Sequence, residues 1–380
     1  MKDISEFINR TLESRIRENL FKGKIVIIYG ARQVGKTTMC KRILKDYPSG
    51  KYINCELIQN KSILEKSNDK KLKAYLGKSN LVILDEAQKV ENIGLTLKII
   101  ADNFTDLQVI ATGSSSFDLA NKTAEPLTGR ARRFLLYPLS VEEIMEKYDI
   151  ADIEAKLENI LRFGLYPGVF GCSNEEAENQ LYEIASNYLY RDLFQFSGIR
   201  KPSLLIDILK ALSLQLGNEV SSAELANLIG KNSHTVESYL DLLEQSFIIF
   251  RVGSFSRNLR KEIGKKYKIY FYDLGIRNSL IQNFNALEVR NDKGALWENF
   301  CILERIKANN NSGKRANYYF WRTYDQKEVD LVEERGGKLF GYDFKYNNKK
   351  AKAPKDWLET YENASFKVVN KDNYLDFITQ

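Results

Sequence analysis

A glycine-rich loop between a strand and a helix constrains this chain more than any other feature of its sequence. Residues 24–30 (Lys-Ile-Val-Ile-Ile-Tyr-Gly) are apolar and β-branched, which predicts a buried strand. The loop Gly30–Thr37 follows directly, and residues 38–44 are compatible with a helix. Glycines let the backbone curl, so that successive N–H groups face phosphate oxygens at the N-terminus of that helix. The pattern therefore predicts an α/β fold with a phosphate-binding loop.

Two side chains of this loop have specific expected roles. Lys36 is expected to reach the β- and γ-phosphates of a nucleotide, and the Thr37 hydroxyl to coordinate Mg²⁺. An Asn-Lys-x-Asp signature would indicate GTP, but residues 121–124 read Asn-Lys-Thr-Ala and lack the acid. The predicted cofactors are therefore ATP and Mg²⁺. The predicted nucleotide-binding residues are Gly30, Ala31, Arg32, Gln33, Val34, Gly35, Lys36, Thr37 and Thr38.

A second apolar segment ends in two acids. Residues 81–84 predict a buried strand that leads into Asp85 and Glu86. The carboxyl ends of parallel strands are where such sheets bind ligands. We therefore expect Asp85 to hold the Mg²⁺ shell and Glu86 to polarise the attacking water.

A third apolar segment, residues 108–113, predicts a buried strand that leads into Ser114. Ser114 is a candidate sensor of the γ-phosphate; Thr112 is the alternative sensor, and an ordinary turn is the alternative to both. With further strands at 52–54 and 133–137, the sequence predicts five strands that alternate with helices. That order is typical of a parallel sheet with helices on both faces.

Arg130 lies in a predicted loop after the Ser114 strand. Arginine is planar and always charged, so it can stabilise a leaving phosphate. Most loop arginines are only solvated, and two interpretations stay open: a catalytic residue, acting in its own subunit or in a neighbouring subunit of an oligomer, or a surface residue. Arg32 is open in the same way.

The composition is that of a globular protein without a membrane span. The chain has 380 residues, 43% hydrophobic and 28% charged, and its apolar runs are too short to cross a bilayer. Its first residues include acids and no apolar signal region. Four widely spaced cysteines fit reduced thiols. We therefore expect a cytoplasmic protein, and the net charge of +7 weakly favours an anionic partner.

The middle of the chain predicts helices followed by a winged helix. Residues 141–198 are helical in pattern and include Arg191, a candidate for a second nucleotide-contacting arginine. Residues 202–273 follow the order of a winged helix, in which helix 236–243 takes the recognition position. That helix and the residue after it carry three acids, which are unfavourable beside phosphates, although residues 257–268 are basic. A protein-binding module is favoured, and a DNA-contacting wing is the alternative.

Two segments that alternate polar and apolar residues flank Gly336-Gly337, the signal of a two-residue hairpin turn. In that register Asp330 faces Asp343 directly, and Lys345 emerges on the same face. Like charges directly opposite are destabilising unless a cation lies between them. The sequence therefore predicts a divalent metal here, with Lys345 orienting water or neutralising a phosphate.

Glu298 is the candidate third carboxylate for that metal. It lies near the packed face of an amphipathic helix that begins at about Gly294. The alternative is a solvated hairpin without a metal, in which Lys345 pairs across the strands with Glu328. Both interpretations remain open at this point.

These residues together resemble a known group, the prokaryotic AAA+ ATPases of the ASCE P-loop class that carry a C-terminal domain of unknown function. The resemblance covers nearly the whole chain. It implies a P-loop NTPase parallel sheet followed by a helical lid, a winged helix and a small α/β domain. The motifs that carry it are Gly30–Thr38, Leu84–Gln88, Thr112–Ser115, Gly129-Arg130, Pro138–Ser140, Tyr190–Asp192, Glu298-Asn299, Phe320–Arg322 and Glu328–Asp330.

The C-terminal part resembles a restriction-endonuclease-like fold with the PD-(D/E)XK arrangement. That resemblance implies that Glu298, Asp330 and Asp343 are ligands of Mg²⁺ or Mn²⁺ and that Lys345 is the catalytic lysine. The chain departs from the common form by having Asp343 where Glu is frequent and no proline before Asp330. The departure puts the cleavage rate in question more than metal binding.

Two functional hypotheses follow. The first is an ATPase coupled to a metal-dependent nuclease, or a nuclease-like domain that binds DNA or RNA. The second is an ATP-driven regulatory switch that binds a protein partner through the winged helix, with an inactive nuclease-like domain. The predicted domains are residues 1–145 (AAA+ P-loop core), 146–201 (helical lid), 202–290 (winged helix) and 291–380 (nuclease-like domain).

Overall fold

The structure, a computed structural model, describes residues 7–65, 68–114, 127–189, 202–255, 266–323, 325–347 and 352–379. The chain divides into two compact units. Unit 1 comprises residues 1–139 and 245–247, and unit 2 comprises residues 140–244 and 248–380. Two features singled out above, Arg191 and most of the basic segment 257–268, lie outside the described residues. The predicted division into four domains stays a prediction.

Unit 1 is built on a five-stranded sheet in the order β2-β3-β4-β1-β5. Every neighbouring pair is parallel, so the predicted parallel sheet is confirmed. Strand β4 lies between the strand that leads into the glycine loop and the strand that ends at Asp85. The strands are β1 (Ile25–Tyr29), β2 (Lys51–Asn54), β3 (Leu81–Asp85), β4 (Gln108–Gly113) and β5 (Ala131–Leu135).

Both faces of this sheet are buried. On one face, Ile27, Leu84 and Ala111 belong to a core that also includes apolar side chains of α3, α4 and α5. The alternate residues Val26 and Ile83 are buried as well, because successive side chains of a strand point to opposite faces. The helices of unit 1 are α1 (Thr11–Arg17), α2 (Lys36–Leu44), α3 (Ile58–Glu65), α4 (Asp69–Leu76) and α5 (Ile93–Asn103), and a 3₁₀ turn covers Ala87–Lys89.

Unit 2 begins with helices and then alternates helices with the strands of a second sheet. Its helices among the described residues are α6 (Val141–Met145), α7 (Ile150–Phe163), α8 (Asn174–Glu183), α9 (Pro202–Leu214), α10 (Ser222–Ile229), α11 (Ser233–Gln245), α12 (Leu274–Leu280), α13 (Lys293–Ser312), α14 (Lys355–Thr360) and α15 (Tyr374–Ile378). A π-helical turn, Ile184–Leu189, continues α8.

The second sheet has seven strands in the order β12-β11-β10-β9-β7-β8-β6. Strands from both predicted C-terminal domains meet in it, because β7 pairs in parallel with β9 through Gly253↔Tyr319 and Ser254↔Phe320. The segments 202–290 and 291–380 therefore share one sheet. Its strands are β6 (Glu219–Val220), β7 (Ile249–Ser254), β8 (Tyr267–Phe271), β9 (Asn317–Arg322), β10 (Glu328–Arg335), β11 (Lys338–Phe344) and β12 (Ala364–Val369).

The hairpin of β10 and β11 turns at Gly336 and Gly337, whose φ angles are 56° and 74°. Positive φ at both central residues is what this two-residue turn requires. The pairs Arg335↔Lys338 and Leu331↔Tyr342 have the register predicted from the sequence. Continuing that register by one pair brings Asp330 opposite Asp343.

None of the described helices combines the length and the apolar character that a membrane crossing requires.

Candidate functional site

The glycine loop lies where β1 ends and α2 begins. At Gly30, with φ of 147°, a Cβ atom would lie 2.1 Å from the carbonyl oxygen of Leu136, so no side chain fits there. Gly35 has φ of 98° and caps the N-terminus of α2, a left-handed conformation that glycine adopts without strain. Both glycines of the motif are therefore required by the backbone itself.

Lys36 folds back over this loop. Its ammonium group donates to the carbonyl oxygens of Gly30 and Ala31, each at 2.8 Å. The side chain is buried and belongs to the first turn of α2. A cation is thus held beside the backbone curve that the sequence predicts to bind phosphate.

Arg10, which lies outside the motif, holds the loop through hydrogen bonds. Its guanidinium group donates to the carbonyl oxygen of Val34 and to that of Tyr137, both at 2.6 Å. The buried arginine thus links the loop to the segment that follows β5. Its role could not be recognised from the sequence, because a single arginine before the first helix has no motif around it.

Asp85, at the end of β3, accepts hydrogen bonds from three hydroxyl groups. Thr37 Oγ1 lies 3.0 and 2.9 Å from its two carboxylate oxygens. Tyr52 Oη donates to one oxygen and Thr112 Oγ1 to the other, each at 2.5 Å. Burial and the bond to Asp85 raise the pKa of Tyr52 above its ordinary value. The predicted pair of Mg²⁺ ligands, Thr37 and Asp85, is thereby brought together.

Glu86 is linked to Ser114 through Gln88. The Gln88 amide donates to the Glu86 carboxylate and, at 3.0 Å, to Ser114 Oγ. The backbone of Glu86 is left-handed, with φ of 54°, and its N–H donates to Thr112 Oγ1 at 3.1 Å. Of the two candidate sensors, Thr112 therefore supports Asp85 and Glu86, while Ser114 lies beside the predicted catalytic acid. The sequence motif that contains Gln88 gave this residue no role.

These groups fit a magnesium nucleotide. Mg²⁺ prefers oxygen ligands and is usually bound by one or two carboxylates together with substrate phosphates. The Thr37 hydroxyl and the Asp85 carboxylate would hold it, next to the cationic Lys36 and the N-terminus of α2. The arrangement can bind a polyphosphate and place a carboxylate, Glu86, close to it.

A second cluster of charged groups lies in unit 2, around the predicted metal site. Its centre is the ammonium of Lys268, from β8, whose side chain is only 4% exposed. Lys268 Nζ lies 3.1 Å from Glu298 Oε1, 2.5 Å from Glu328 Oε1 and 3.7 Å from Asp330 Oδ1. The hydroxyl of Tyr270 also donates to Glu298, at 2.5 Å. We call Lys268, Glu298, Glu328, Asp330 and Asp343 the carboxylate cluster.

The two facing aspartates of this cluster have opposite pKa shifts. Burial raises the pKa of Asp330 well above its usual range, and the negative charge of Glu298 acts in the same direction. Burial also acts to raise the pKa of Asp343, but hydrogen bonds with Asp330 and Lys345 outweigh it, so that pKa is lowered. Lys345 Nζ lies 2.7 Å from Asp343 Oδ1. Of the facing pair, Asp330 therefore has the higher pKa and takes up a proton first as pH falls.

Two lysines, Lys268 and Lys345, have partners here that the sequence did not suggest. The sequence groups Lys268 with a basic stretch, but it is buried among acids, because it lies in an apolar strand whose inward positions face the cluster. The metal-free alternative pairs Lys345 with Glu328. Glu328 instead contacts Lys268, and Lys345 contacts Asp343.

Comparisons with known proteins assign the parts of the chain separately. Residues 22–145 match the family model described as "AAA domain". They form an AAA-type P-loop domain. Residues 154–287 and 293–377 match two models described as "Domain of unknown function", DUF8612 and DUF4143.

The chain is also similar to uncharacterized proteins of other organisms in sequence and to a solved structure in fold. An uncharacterized protein of Mycobacterium tuberculosis is 28% identical over 340 residues, covering 88% of this chain and 73% of that protein. An uncharacterized protein of Methanocaldococcus jannaschii is 26% identical over 322 residues, covering 79% and 69%. The structure of a Walker-type ATPase of Pyrococcus abyssi has a TM-score of 0.53 at 19% identity, covering 73% of this chain and 97% of that one.

Arg130 lies at the edge of the AAA domain sheet that is remote from its own glycine loop. Its carbonyl oxygen accepts the N–H of Ile25, the first residue of β1, whereas the loop follows the last residue. At roughly 3.3 Å per strand residue, the two ends are about 15 Å apart. The side chain pairs with Asp102, with Nε 2.6 Å from Oδ1. A catalytic role in its own subunit does not fit this placement, and action on a neighbouring subunit stays a prediction.

Proposed function

We propose that the AAA domain hydrolyses ATP in the presence of Mg²⁺. The observation that carries this proposal is the convergence of the Thr37 hydroxyl and the Asp85 carboxylate, 2.9–3.0 Å apart, beside Lys36. In this proposal Lys36 exchanges its two bonds to loop carbonyls for bonds to the β- and γ-phosphates. Bound Mg²⁺ supplies charge neutralisation of the phosphates. Positioning and electrostatic stabilisation account for most of the catalysis of phosphoryl transfer.

Glu86 is the residue that polarises the attacking water in this proposal. Its neighbours support that role, since Gln88 connects its carboxylate to Ser114, the favoured γ-phosphate sensor. A phosphate that engages Ser114 would compete with Gln88 for the hydroxyl. Loss of that bond would change how Gln88 holds Glu86, so the sensor and the acid are coupled through one amide.

An assay of phosphate release tests the proposal. The full chain is incubated with ATP or GTP, with Mg²⁺ or with EDTA, and with or without added DNA and RNA. We expect release from ATP that requires Mg²⁺ and exceeds release from GTP. A folded chain that binds ATP but releases no phosphate under any of these conditions would contradict hydrolysis, and one that binds no nucleotide would contradict the site.

A second candidate function, for unit 2, is binding of a protein partner in an ATP-driven switch. The recognition-position helix α11 directs three carboxylates at one residue, Arg251 of β7. Glu237, Asp241 and Glu244 each place an oxygen 2.6 Å from its guanidinium nitrogens. One arginine leaves this face with an excess of negative charge, which disfavours a phosphate backbone and favours a protein surface.

Fluorescence anisotropy with labelled duplex DNA and single-stranded RNA distinguishes the two kinds of partner. A protein that contacts phosphates loses affinity steeply as salt rises, with a slope of about −0.9 per neutralised phosphate on duplex DNA. We expect weak binding without such a slope. Tight, salt-sensitive binding of either nucleic acid would favour the first hypothesis, in which unit 2 acts on nucleic acid.

A further inference from the structure

The carboxylate cluster has the residue types of a metal-dependent nuclease. A cation of the protein itself, the ammonium of Lys268, already lies among its acids. Lys268 belongs to β8, a strand of the segment that precedes the nuclease-like residues in sequence. In the sheet order β7 and β9 lie between β8 and β10, yet the ammonium of Lys268 contacts acids of β10. Its ammonium lies within 3.7 Å of carboxylate oxygens from α13 and from β10.

Each acid of the cluster has at least one carboxylate oxygen engaged by a protein donor. Glu298 Oε1 accepts from Lys268 and from Tyr270. Asp330 Oδ2 accepts the backbone N–H of Phe344 at 2.9 Å, and its Oδ1 faces Lys268. Asp343 Oδ1 accepts from Lys345. A metal ion would have to displace these donors one after another.

A divalent ion does not fit this arrangement. Mg²⁺ needs oxygen ligands at 2.0–2.1 Å in near-octahedral geometry, and such a site would place a second cation beside a buried ammonium. Among the described residues, no group of three acidic, histidine or cysteine side chains has the geometry to hold a metal ion. A cavity of about 380 Å³ reaches Glu298 and Asp330, but Lys293 and Lys345 also line it.

We propose that the ammonium of Lys268 is the permanent cation of this cluster, so that unit 2 has the residues of a nuclease but does not take up a divalent metal ion. Lys268 beside Asp330 and Lys345 beside Asp343 then supply the positive charge that the facing aspartates require, which the sequence alone assigned to a metal. Cleavage of nucleic acid by unit 2 is therefore not expected. The inference concerns unit 2 alone and does not depend on ATP hydrolysis.

Binding of Mn²⁺ to the nucleotide-free chain tests the inference directly. Water-proton relaxation is measured for the parent and for Asp330→Asn over a titration with Mn²⁺. Any Mn²⁺ held by the cluster is lost in the variant, whereas Mn²⁺ at the nucleotide site is retained by both. We expect the two titrations to coincide. Tighter binding by the parent would overturn the proposal, and this comparison needs no change at Lys268.

A variant of Lys268 tests the same inference through an expected gain of Mn²⁺ binding. Lys268→Met keeps the length of the side chain and removes its charge; Lys266→Met, at an exposed lysine just before it, is the matched control. We expect Lys268→Met to bind Mn²⁺ more tightly than the parent by roughly tenfold or more, the scale on which neighbouring groups alter metal affinity. Adding Asp330→Asn should reverse the gain. A folded Lys268→Met chain without that gain would contradict the proposal; an unfolded one leaves the decision to the Asp330→Asn comparison.

Discussion

Asn299 forms hydrogen bonds with both the backbone N–H and the backbone carbonyl group of Phe271. Its Oδ1 accepts the N–H of Phe271 at 2.8 Å, and its Nδ2 donates to the carbonyl oxygen of Phe271 at 2.9 Å. The asparagine, fully buried on α13, thus serves the last residue of β8 as a neighbouring strand would. The adjacent Glu298 contacts the same strand through Lys268 and Tyr270, so consecutive residues of one helix hold β8 in place.

Replacing Asn299 with alanine should destabilise unit 2. The variant leaves one buried N–H and one buried carbonyl group without partners, at a total cost of about 2–4 kcal/mol in the free energy of unfolding. Urea denaturation measures the loss. Asn363→Ala, at an exposed asparagine, should have almost no effect. Equal stability of Asn299→Ala and the parent would mean that water or a neighbouring group replaces the amide.

Lys36→Ala should abolish phosphate release and weaken ATP binding, because it removes the ammonium group that lies within the curve of the loop. Lys45→Ala is the control, since Lys45 lies exposed just after the same helix. Phosphate release and nucleotide titration are measured on both variants. Normal turnover by Lys36→Ala would show that ATP is hydrolysed elsewhere.

Glu86→Gln should keep nucleotide binding and lose turnover. Removing a group that polarises water lowers the rate by about 10²- to 10⁴-fold, while Lys36, Thr37 and Asp85 still bind the nucleotide. Single-turnover assays and nucleotide titrations separate the two effects. Glu91→Gln, at an exposed glutamate nearby, should behave as the parent does. If Glu86→Gln turned over ATP at the parent's rate, another group would have to activate water.

Arg130→Ala should leave the ATPase rate of a dilute, dissociated chain unchanged. The arginine lies at the opposite edge of the sheet from its own glycine loop and pairs with Asp102. Specific activity is measured against chain concentration for the parent and the variant. A difference that emerges only at high concentration would indicate action on a neighbouring subunit. A difference that persists on dilution would contradict the predicted absence of a role within the subunit.

Asp273 should make the stability of unit 2 depend on pH. This buried carboxylate accepts N–H groups of Leu165 and Ile276 at 2.8 and 3.1 Å, yet burial raises its pKa to about 6. Between its unfolded pKa, about 4, and that value, the folded chain retains a proton that the unfolded chain has lost. The contribution is therefore fully present below the unfolded pKa and is lost as pH rises through about 6.

The folded pKa of about 6 and the unfolded pKa of about 4 together correspond to about 3 kcal/mol in the free energy of unfolding. Urea denaturation of the parent and of Asp273→Asn at about pH 4 and about pH 7 measures it. The parent should lose stability relative to the variant as pH rises. Asp207→Asn, at an exposed aspartate of unit 2, should show no such trend. A constant difference between the parent and Asp273→Asn would mean that the carboxylate does not titrate in this range.

Short motifs predicted what local geometry determines. The strand, loop and helix around Lys36 could be predicted from the types of residues that are neighbours in the sequence. The register of the β10–β11 hairpin followed from Gly336 and Gly337 alone, because a two-residue turn fixes which residues face each other. The five parallel strands of unit 1 followed from their alternation with helices.

Contacts between distant segments were not predictable in the same way. Lys268 is 30 residues from Glu298, and its strand is separated from β10 by β7 and β9 in the sheet. Its place inside an apolar strand distinguishes it from the exposed Lys266, but no local pattern shows that acids lie around it. The distance between Arg130 and the glycine loop depends on how β5 is aligned with β1. Tyr52 and Thr112 reach Asp85 from neighbouring strands, a relationship that needs the strand order.

The pairing between β7 and β9 determines where this protein can be truncated for further work. A fragment that starts at residue 291 would lack β7, leaving the edge of β9 at Tyr319 and Phe320 open to pairing with other molecules. It would also lack Lys268, leaving the acids of the cluster without their cation. Such a fragment is a poor choice for crystallisation or for assays of cleavage. A shortened chain that begins before α6 keeps the sheet and its internal counter-ion together.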